Sequence, residues 1–579
     1  MSRPVERRLP ICLASMGVLG YFTLATIVMT WPLVAHCRTA VIGWVGDNFY
    51  FVWLVGWFEK ALAQWQHLPW VVPTLNYPEG WNLAYNEMTP AMVLLALPAA
   101  MLDGPVLGYN IALLLSYVLS GFGAYLWVRR LTGNRLAGLV AGTAFAFAPY
   151  RQAHALGHLN LMGTQWLPFY FMSLHEMLSR PGDSLRPAVS AGMFLGLIAF
   201  TSQYYLYMSI VLSVLYLLGY LTLVSAQPLR RWGTWRRLVV AAFTALPLIT
   251  GALLPYLALA SNGVWSAHSF EDVRLWSASP MDFLLPSPRH FFWGQWVQAH
   301  FDRSLWIENT LYLGIVTGVL AAIGLGKGRA ILAKCGTSRL LAVAVVVAAL
   351  LAMGTDLHWL GKSVTVPVPA FLQHWHPYAS AFIPLPGYLL FKYLPFYSGM
   401  RVWMRYGIFA HLFLSLLAGL GGAWLIWRAR HWAVPAAALL IALVLLDSCQ
   451  GTQMLSPVQG RAVDYWLAGQ PDDGAVAQFP IEEAVSPEHT YYTLLHGKPF
   501  IGGFFAAFTP PQFRQVQPVL RNFPDQASID LLAALGVKYV LLDSKWYTDS
   551  PHWRESLAAL GLQLLALTDG QYVYILVNR

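Results

Sequence analysis

Uncharged apolar runs, many of them long enough to cross a bilayer of about 30 Å as a helix, recur along most of this chain. They occupy residues 11–34, 104–128, 136–150, 159–174, 238–267, 309–326, 340–355, 407–427 and 432–446, with two more inside 187–229 that reverse near 201–205. Only 11% of the residues are charged, against about 25% in a soluble domain. The pattern predicts a polytopic α-helical membrane protein with about eleven transmembrane helices.

Basic residues are concentrated in short connections between these runs. Half of the 36 Lys and Arg lie at positions 3, 7, 8, 129, 130, 135, 180, 186, 230, 231, 236, 237, 327, 329, 334, 339, 428 and 430. These groups fall on every second connection, which the positive-inside rule assigns to the cytoplasm. We therefore expect a multi-pass protein of the cell inner (cytoplasmic) membrane, with a cytoplasmic N-terminus. Because topology accounts for most of the net charge of +9, we expect no nucleic-acid partner.

Residues 1–449 form the predicted transmembrane domain, and three of its outer loops are long: 35–103, 261–308 and 356–406. Binding and catalytic residues concentrate in long loops, so we expect the chemistry at the outer face of the membrane. Within the first loop, 90–102 is apolar but too short to span, and we expect it to lie in the membrane interface. Thr89 is its predicted N-cap.

The composition changes after residue 449. Acidic residues become frequent, and β-rich runs at 475–480, 538–543, 562–567 and 572–577 alternate with helical patterns. Residues 450–579 therefore predict a soluble extracytoplasmic α/β domain. The domain contains no GxGxxG, GxSxG or Walker motif, so we expect neither nucleotide binding nor serine-hydrolase chemistry there.

Asp47 is the first candidate catalytic residue, because it follows the first span and opens an aromatic amphipathic run. Proximity to the bilayer would desolvate its carboxylate and raise its basicity, as a general base requires. Glu79 is the second acid of the same loop and Glu87 a weaker third. The alternative for Asp47 is an ordinary solvated loop residue.

A polar turn at 150–160 carries His154, His158 and Asn160. If the turn is helical, the two histidines share a face. Three interpretations remain open for this pair: a metal site that also includes Asp47, hydrogen bonding to substrate, or simple packing at the interface.

The order of these features resembles the GT-C glycosyltransferases. The resemblance covers about residues 9–180: an acid after the first span, an interfacial helix, a span ending in Trp127-Val128-Arg129-Arg130, and a short span ending in Ala148-Pro149-Tyr150. It implies an inverting enzyme that transfers a sugar from a polyprenyl-phosphate donor to a glycan, lipid or protein acceptor. It also implies that Asp47 is the catalytic acid, with Glu79 as its neighbour, and that a divalent ion (Mg or Mn) is a candidate cofactor. Histidine, near His158, stands where the family has an acid.

The remaining site candidates lie in the later outer loops. Arg401 and Arg405 are four residues apart and suit a lipid phosphate, although interfacial snorkelling explains them equally well. The stretch 279–290 resembles a short re-entrant element, with Arg289 and His290 near the head of the membrane lipid. For Glu308 we favour helix capping over a place in the wall of the site.

Two other function classes remain alternatives to transfer: a transporter or flippase of lipid-linked sugars, and a non-catalytic assembly factor. Transporters usually place ionisable groups near the bilayer midplane, whereas these spans are nearly free of charge. The apolar stretch 497–505 either folds over the outer cavity between the first and third long loops or continues a strand of its own domain.

Overall fold

The structure, a computed structural model, describes residues 11–64, 69–180, 182–261, 267–302, 304–332, 336–360, 362–372, 380–548 and 550–577. The basic residues at 3, 7, 8 and 334 and the terminal Arg579, which enter the predicted topology, lie outside the described residues. So do parts of the second and third long loops, at 262–266, 303, 361 and 373–379. We call "outer" the side that carries these loops.

Helices dominate the first 449 residues. They are α1 (Ile11–Met29), α2 (Asp47–Gln64), α3 (Pro90–Thr132), α4 (Arg135–Ala146), α5 (Pro149–His154), α6 (Leu159–Met162), α7 (Trp166–Ser179), α8 (Arg186–Ala199), α9 (Gln203–Leu223), α10 (Trp232–Ser261), α11 (Phe270–Leu275), α12 (Gly294–His300), α13 (Trp306–Asn309), α14 (Ile315–Lys327), α15 (Gly336–Ala352), α16 (Pro386–Tyr393), α17 (Gly407–Ala429) and α18 (Ala433–Asp447).

Four helical stretches in the described part of the chain are long and apolar enough to span a bilayer: Pro90–Thr132, Gln203–Leu223, Trp232–Ala260 and Trp403–Asp447. Shorter apolar helices lie at Ser15–Met29, Arg135–Ala146, Arg186–Ala199 and Gly336–Ala352. Length and apolar composition thus support a membrane location.

Helix α3 contains the break that the sequence places between an interfacial segment and a span. Asp103 and Gly104 have non-helical dihedral angles, with φ of 82° at Gly104, a conformation that glycine adopts without strain. The predicted N-cap before this helix is wrong. Thr89 has φ of 39° and its side chain makes no capping hydrogen bond, so Pro90 at the helix start is the only expected signal that remains.

Strands are short in the loops and longer near the C-terminus. They are β1 (Ala40–Ile42), β2 (Val71–Val72), β3 (Trp81–Asn82), β4 (His358–Trp359), β5 (Lys362–Ser363), β6 (Thr365–Pro367), β7 (Ser380–Phe382), β8 (Leu455–Pro457), β9 (Ala475–Phe479), β10 (Val537–Asp543), β11 (Leu562–Thr568) and β12 (Gln571–Leu576). The last four lie where the β-rich runs predict strands, and they form one sheet in the order β11-β12-β10-β9.

The C-terminal sheet is mixed, because β10 pairs parallel with β9 and antiparallel with β12. Five helices accompany it: α19 (Ala462–Ala468), α20 (Pro487–His496), α21 (Pro511–Leu520), α22 (Gln526–Ala534) and α23 (Pro551–Ala559). Strand β9 is buried along its whole length, as expected for a strand inside an α/β layer structure.

The C-terminal region packs directly on the first outer loop. Strand β8 pairs antiparallel with β1, and the Nε1–H of Trp53 in α2 donates to Oγ1 of Thr493 in α20 at 3.2 Å. A Cβ at Gly56 would lie 2.7 Å from Cδ1 of Leu494, so the glycine permits close approach of α2 and α20. The C-terminal region therefore packs against the helix that begins with Asp47.

Candidate functional site

Asp47 is the first residue of α2, and the buried Asn48 beside it fixes the local backbone. The Nδ2 amide of Asn48 donates to the backbone carbonyls of Ile42 (3.0 Å), Trp44 (2.9 Å) and Leu156 (3.4 Å). Its Oδ1 accepts from the backbone N–H groups of Gly46 (3.0 Å) and Phe49 (3.0 Å). Leu156 lies between the two histidines of the polar turn. One side chain therefore ties the Asp47 segment to the histidine turn.

We expect Asn48→Asp to destabilise the protein by about 1–3 kcal/mol, because three buried carbonyls lose their donor while the side-chain shape is kept. The matched control is Asn134→Asp. Asn134 caps α4 by accepting from the Ala137 N–H at 3.1 Å, and aspartate caps equally well. Thermal unfolding in detergent measures both, and equal melting temperatures for the two variants would contradict the role of Asn48.

The two histidines connect Asp47 to Glu308 through a series of side-chain contacts. Nε2 of His158 lies 3.4 Å from Oδ2 of Asp47, and the Nδ1 atoms of His158 and His154 share a hydrogen bond of 2.9 Å. Nε2 of His154 then lies 3.6 Å from Oε2 of Glu308. Asp47 is about half-exposed, with 42% of its side chain accessible, whereas His154 is buried. The chain thus runs from solvent inward.

Glu308 carries the chain onward to Arg405. The Nη2 and Nε groups of Arg405 donate to Oε1 of Glu308 at 2.7 and 3.2 Å, and its guanidinium lies 4.4 Å from the ring centre of Tyr204. Glu308 lies in the four-residue helix α13, and the longer helix that follows, α14, begins after Gly314 without a side-chain capping hydrogen bond. The favoured interpretation of Glu308 as a capping residue is therefore wrong: it belongs to the wall of the site.

Glu87 ends the chain on the far side of Arg405. Its Oε1 lies 3.9 Å from Nη1 of Arg405, and its Oε2 accepts a hydrogen bond from Nδ2 of Asn160. We call the set Asp47, His158, His154, Glu308, Arg405, Glu87 and Asn160 the polar chain. It joins residues from five segments that are distant in sequence.

Burial and ion pairing set the charges in the polar chain. Burial lowers the pKa of His154 to about 3, so its imidazole is neutral. Burial alone would raise the pKa of Glu308, but the charge and the hydrogen bonds of the Arg405 guanidinium hold that pKa well below its ordinary value. Burial raises the pKa of Glu87, against the opposing effects of Arg405 and the hydrogen bond from Asn160. Glu308 is therefore ionised within the polar chain.

A metal could be held by His154, His158 and Glu308, whose ligand atoms all lie within 4.8 Å of one another. The buried Nε2 of His154 has no hydrogen-bond partner among the described residues and faces a carboxylate oxygen. These donors fit a divalent cation. Two imidazoles with one carboxylate suit Mn²⁺ or Zn²⁺ better than Mg²⁺, which prefers oxygen ligands. The set differs from the expected one, since Glu308 takes the place of Asp47.

A cavity of about 250 Å³ adjoins the inner end of the polar chain. Its walls combine the end of the first loop, the outer ends of α9 and α10, the third loop and the C-terminal region; they include Glu87, Tyr204, Tyr207, Tyr256, Leu257, His268, Phe396, Arg401 and Phe508. Most of the lining is apolar or aromatic, with few charged groups. Such a cavity suits an amphipathic ligand whose polar end reaches Glu87 and Arg401.

The two arginines of the third loop have different surroundings. Arg405 is paired with Glu308, whereas Arg401 is exposed, lines the cavity and stacks on Trp276 at 4.9 Å. Of the two, Arg401 is the better placed for a ligand that enters the cavity. Arg274, another cation of the outer loops, donates to Oδ2 of Asp356 at 2.9 Å.

Three other predicted site residues lie apart from the polar chain. Glu79 is exposed, and its backbone N–H donates to Oε1 of Gln512 in the C-terminal region. Nε2 of His290 lies 3.1 Å from the carbonyl of Asp447 at the end of α18, and Arg289 precedes it in the same loop. The structure thus unites Asp47, His154, His158, Asn160, Glu308 and Arg405 and leaves Glu79, Arg289 and His290 outside this group.

The apolar stretch 497–505 contacts both its own sheet and the first outer loop, and the residues that follow it, 506–508, line the cavity. Phe500 bridges Val476 of β9 and also Leu75 of the first loop. Further along, the Phe504 carbonyl accepts from Nδ2 of Asn86 at 3.0 Å, and the segment reaches the cavity wall at Phe508. This part of the C-terminal region both extends its own sheet and closes over the first loop.

Sequence reasoning missed Asn48, Tyr204 and His268. Asn48 follows Asp47 at a helix start, where Asn side chains commonly bond to nearby backbone, so that signal was readable. Tyr204 and His268 carry no local signal, because only the fold brings them to Arg405 and to the cavity.

Comparisons with known proteins agree on the architecture. A family model described as Domain of unknown function (DUF6311) matches residues 18–382. Among curated proteins, no sequence matches this chain. Arabinofuranosyltransferase AftD from Mycobacteria superposes with a TM-score of 0.56 at 13% identity, covering 100% of this chain and 41% of AftD. The apo oligosaccharyltransferase of Archaeoglobus fulgidus gives 0.52 at 13% identity, covering 92% of this chain and 70% of its own.

These likenesses show the fold alone. The chain has a GT-C-like fold, as the order of its sequence features predicts, and it spans about two fifths of the length of AftD.

Proposed function

This chain belongs to the family described as Domain of unknown function (DUF6311), and from its site we propose that it is a membrane glycosyltransferase. It takes a sugar from a polyprenyl-phosphate donor and transfers it to an acceptor at the outer face of the cytoplasmic membrane. One observation carries the proposal: the polar chain, with a half-exposed acid at one end, adjoins a largely apolar cavity at the other. Both structural relatives are named as sugar transferases.

In the proposed reaction, an acceptor hydroxyl oxygen attacks the anomeric carbon of the donor while its proton passes to the Asp47 carboxylate. The bond from the anomeric carbon to the phosphate oxygen breaks, and the lipid phosphate leaves with the electron pair. Attack from the face opposite the leaving group inverts the anomeric configuration. His158, in contact with Asp47 at 3.4 Å, orients that carboxylate.

Cationic groups balance the negative charge of the leaving phosphate. Arg401 supplies one such group at the cavity wall. His154, His158 and Glu308 would hold a divalent cation, which would supply further electrostatic stabilisation when bound. Arg405 keeps Glu308 ionised, and thus ready as a ligand, through their paired hydrogen bonds.

The direct test uses the purified full chain in nanodiscs with a panel of radiolabelled undecaprenyl- and dolichyl-phosphate sugars. A membrane extract supplies acceptors. We expect release of free polyprenyl phosphate from at least one donor, together with labelled product. Binding of donors without cleavage of any would contradict a transferase and favour the transport or assembly alternatives.

We expect Arg401→Gln to weaken binding of undecaprenyl phosphate by about tenfold, because a charge-assisted contact is lost. Arg401→Lys keeps the charge but not the planar fork. If the contact is bidentate, the affinity of this variant should fall between those of wild type and Arg401→Gln. Arg38→Gln, at an exposed outer-loop arginine whose partner Asp103 is also exposed, is the matched control. Affinity unchanged in Arg401→Gln would move the phosphate to another group.

The proposed topology has eleven spans, a cytoplasmic N-terminus and a soluble extracytoplasmic domain at 450–579. An alkaline phosphatase fused after Arg579 should therefore be active, since this reporter works only outside the cytoplasm. A cytoplasmic reporter fused at the same point should be inactive. The reverse result would overturn the outward orientation of the site.

A further inference from the structure

The outer rim of the site carries two tryptophans that the mechanism above does not use. Trp44 is 43% exposed, and its ring centre lies 6.1 Å from that of the half-buried Trp306, edge to face. Trp44 lies three residues before Asp47, and Trp306 lies two residues before Glu308. The two segments that supply Asp47 and Glu308 therefore also supply this aromatic pair.

The backbone at both tryptophans is held by side-chain hydrogen bonds. Its carbonyl accepts from the buried amide of Asn48 at 2.9 Å, the same amide that holds the start of α2. Trp306 is held because Oγ1 of Thr310 donates to its carbonyl at 2.5 Å, within the segment anchored by Glu308. The ring pair thus stands on two anchored segments, one that carries Asp47 and one that carries Glu308.

This rim lies outside the lining of the cavity. The described residues that line the cavity include Glu87, Tyr204 and Arg401 but neither Asp47 nor the two tryptophans. The polar chain connects the two places. A donor in the cavity would leave the side near Asp47 free for the second substrate.

We propose that Trp44 and Trp306 form the acceptor subsite and that the acceptor offers a neutral sugar ring, so that the acceptor is a glycan. This rests on the proposed function and names its acceptor class. A pyranose ring has an apolar C–H face that covers an aromatic ring, while hydroxyl groups at its edge reach an adjacent carboxylate. An anionic ligand is disfavoured beside Asp47. A lipid chain over Trp44 would press apolar groups against the half-exposed carboxylate, at the cost of its hydration.

The test measures saturation-transfer-difference NMR on the full chain in nanodiscs, with a panel of methyl glycosides of glucose, galactose, mannose and arabinose as probes. We expect transfer from protein to the C–H face of at least one glycoside. Trp44→Leu keeps apolar volume without the aromatic face and should weaken that binding about five- to tenfold; Trp44→Phe should weaken it less. Trp31→Leu, at another exposed tryptophan, is the control and should bind normally.

Equal binding by wild type and Trp44→Leu would overturn the proposal, as would the absence of binding by any glycoside to wild type. A second measurement addresses membrane contact. A nitroxide at Val45, in a chain whose four cysteines are replaced by serine, reports access to oxygen and to a water-soluble nickel complex. Greater access to oxygen would mean that lipid covers the rim, and would also overturn the proposal.

Donor cleavage with the membrane extract as the source of acceptors is measured on the same protein preparations. Glycoside binding that depends on Trp44, without any donor cleavage, would leave the subsite standing and contradict the transferase. Donor cleavage without such binding would support the transferase and overturn the subsite.

Discussion

Replacing Asp47 with asparagine is expected to reduce sugar transfer at least about 10²-fold while leaving the protein folded. The amide keeps the shape of the carboxylate but cannot take the acceptor proton. It also retains an oxygen toward Nε2 of His158, which lies 3.4 Å from Oδ2 of Asp47. Because the Asp47 side chain is about half-exposed, removing its charge should leave the melting temperature close to that of wild type.

The matched control is Glu79→Gln, the other acid that the sequence proposes as catalytic. Glu79 is exposed and its backbone contacts Gln512 rather than the polar chain. We expect nearly normal transfer by this variant. For both variants the measurement is the initial rate of sugar transfer from the donor that the panel experiment identifies. Full turnover by Asp47→Asn would remove Asp47 from the chemistry, and a large loss in Glu79→Gln would restore Glu79 as a catalytic acid.

The sequence is informative where a feature depends on neighbouring residues. Apolar runs locate the long helices, the break at Asp103 and Gly104 separates an interfacial segment from a span, and alternating runs locate β9 to β12. His154 and His158 do meet, with their Nδ1 atoms 2.9 Å apart, but the helix that their spacing assumes ends at His154 and a turn brings them together. The long helices and the strands follow from helix and strand periodicity, which acts over a few residues.

Features that depend on tertiary packing escape the same reasoning. Glu308 resembles a cap because it precedes an apolar run, yet its partner Arg405 is 97 positions away in the chain. The sequence ranks Glu79 above Glu87 among the acids of one loop, and only the fold brings Glu87 to Asn160 and Arg405. No local pattern records that α20 packs on α2, where Trp53 donates to Thr493. Long-range pairing therefore decides which acids belong to the site.

The ion pair between Glu308 and Arg405 leads to the second large effect. We expect Arg405→Gln to destabilise the protein by about 3–5 kcal/mol, because it leaves an ionised carboxylate buried without its partner. Both side chains are largely inaccessible, at 7% for Glu308 and 12% for Arg405, so solvent cannot replace the lost guanidinium. Unfolding in detergent, followed by intrinsic fluorescence, measures the change. Arg401→Gln, at an exposed arginine four residues earlier, should unfold like wild type.

A double variant distinguishes the stability that the ion pair contributes from the individual roles of Glu308 and Arg405. Adding Glu308→Gln to Arg405→Gln removes the stranded charge, so much of the lost stability should return, and the two changes should be non-additive. Transfer should stay low in the double variant, since Glu308 is also a ligand candidate beside His154. Stability that is restored without activity would mean that the pair stabilises the fold and that the Glu308 carboxylate serves the reaction. Additive losses would instead mean that the two side chains act independently, and the polar chain would then end at His154.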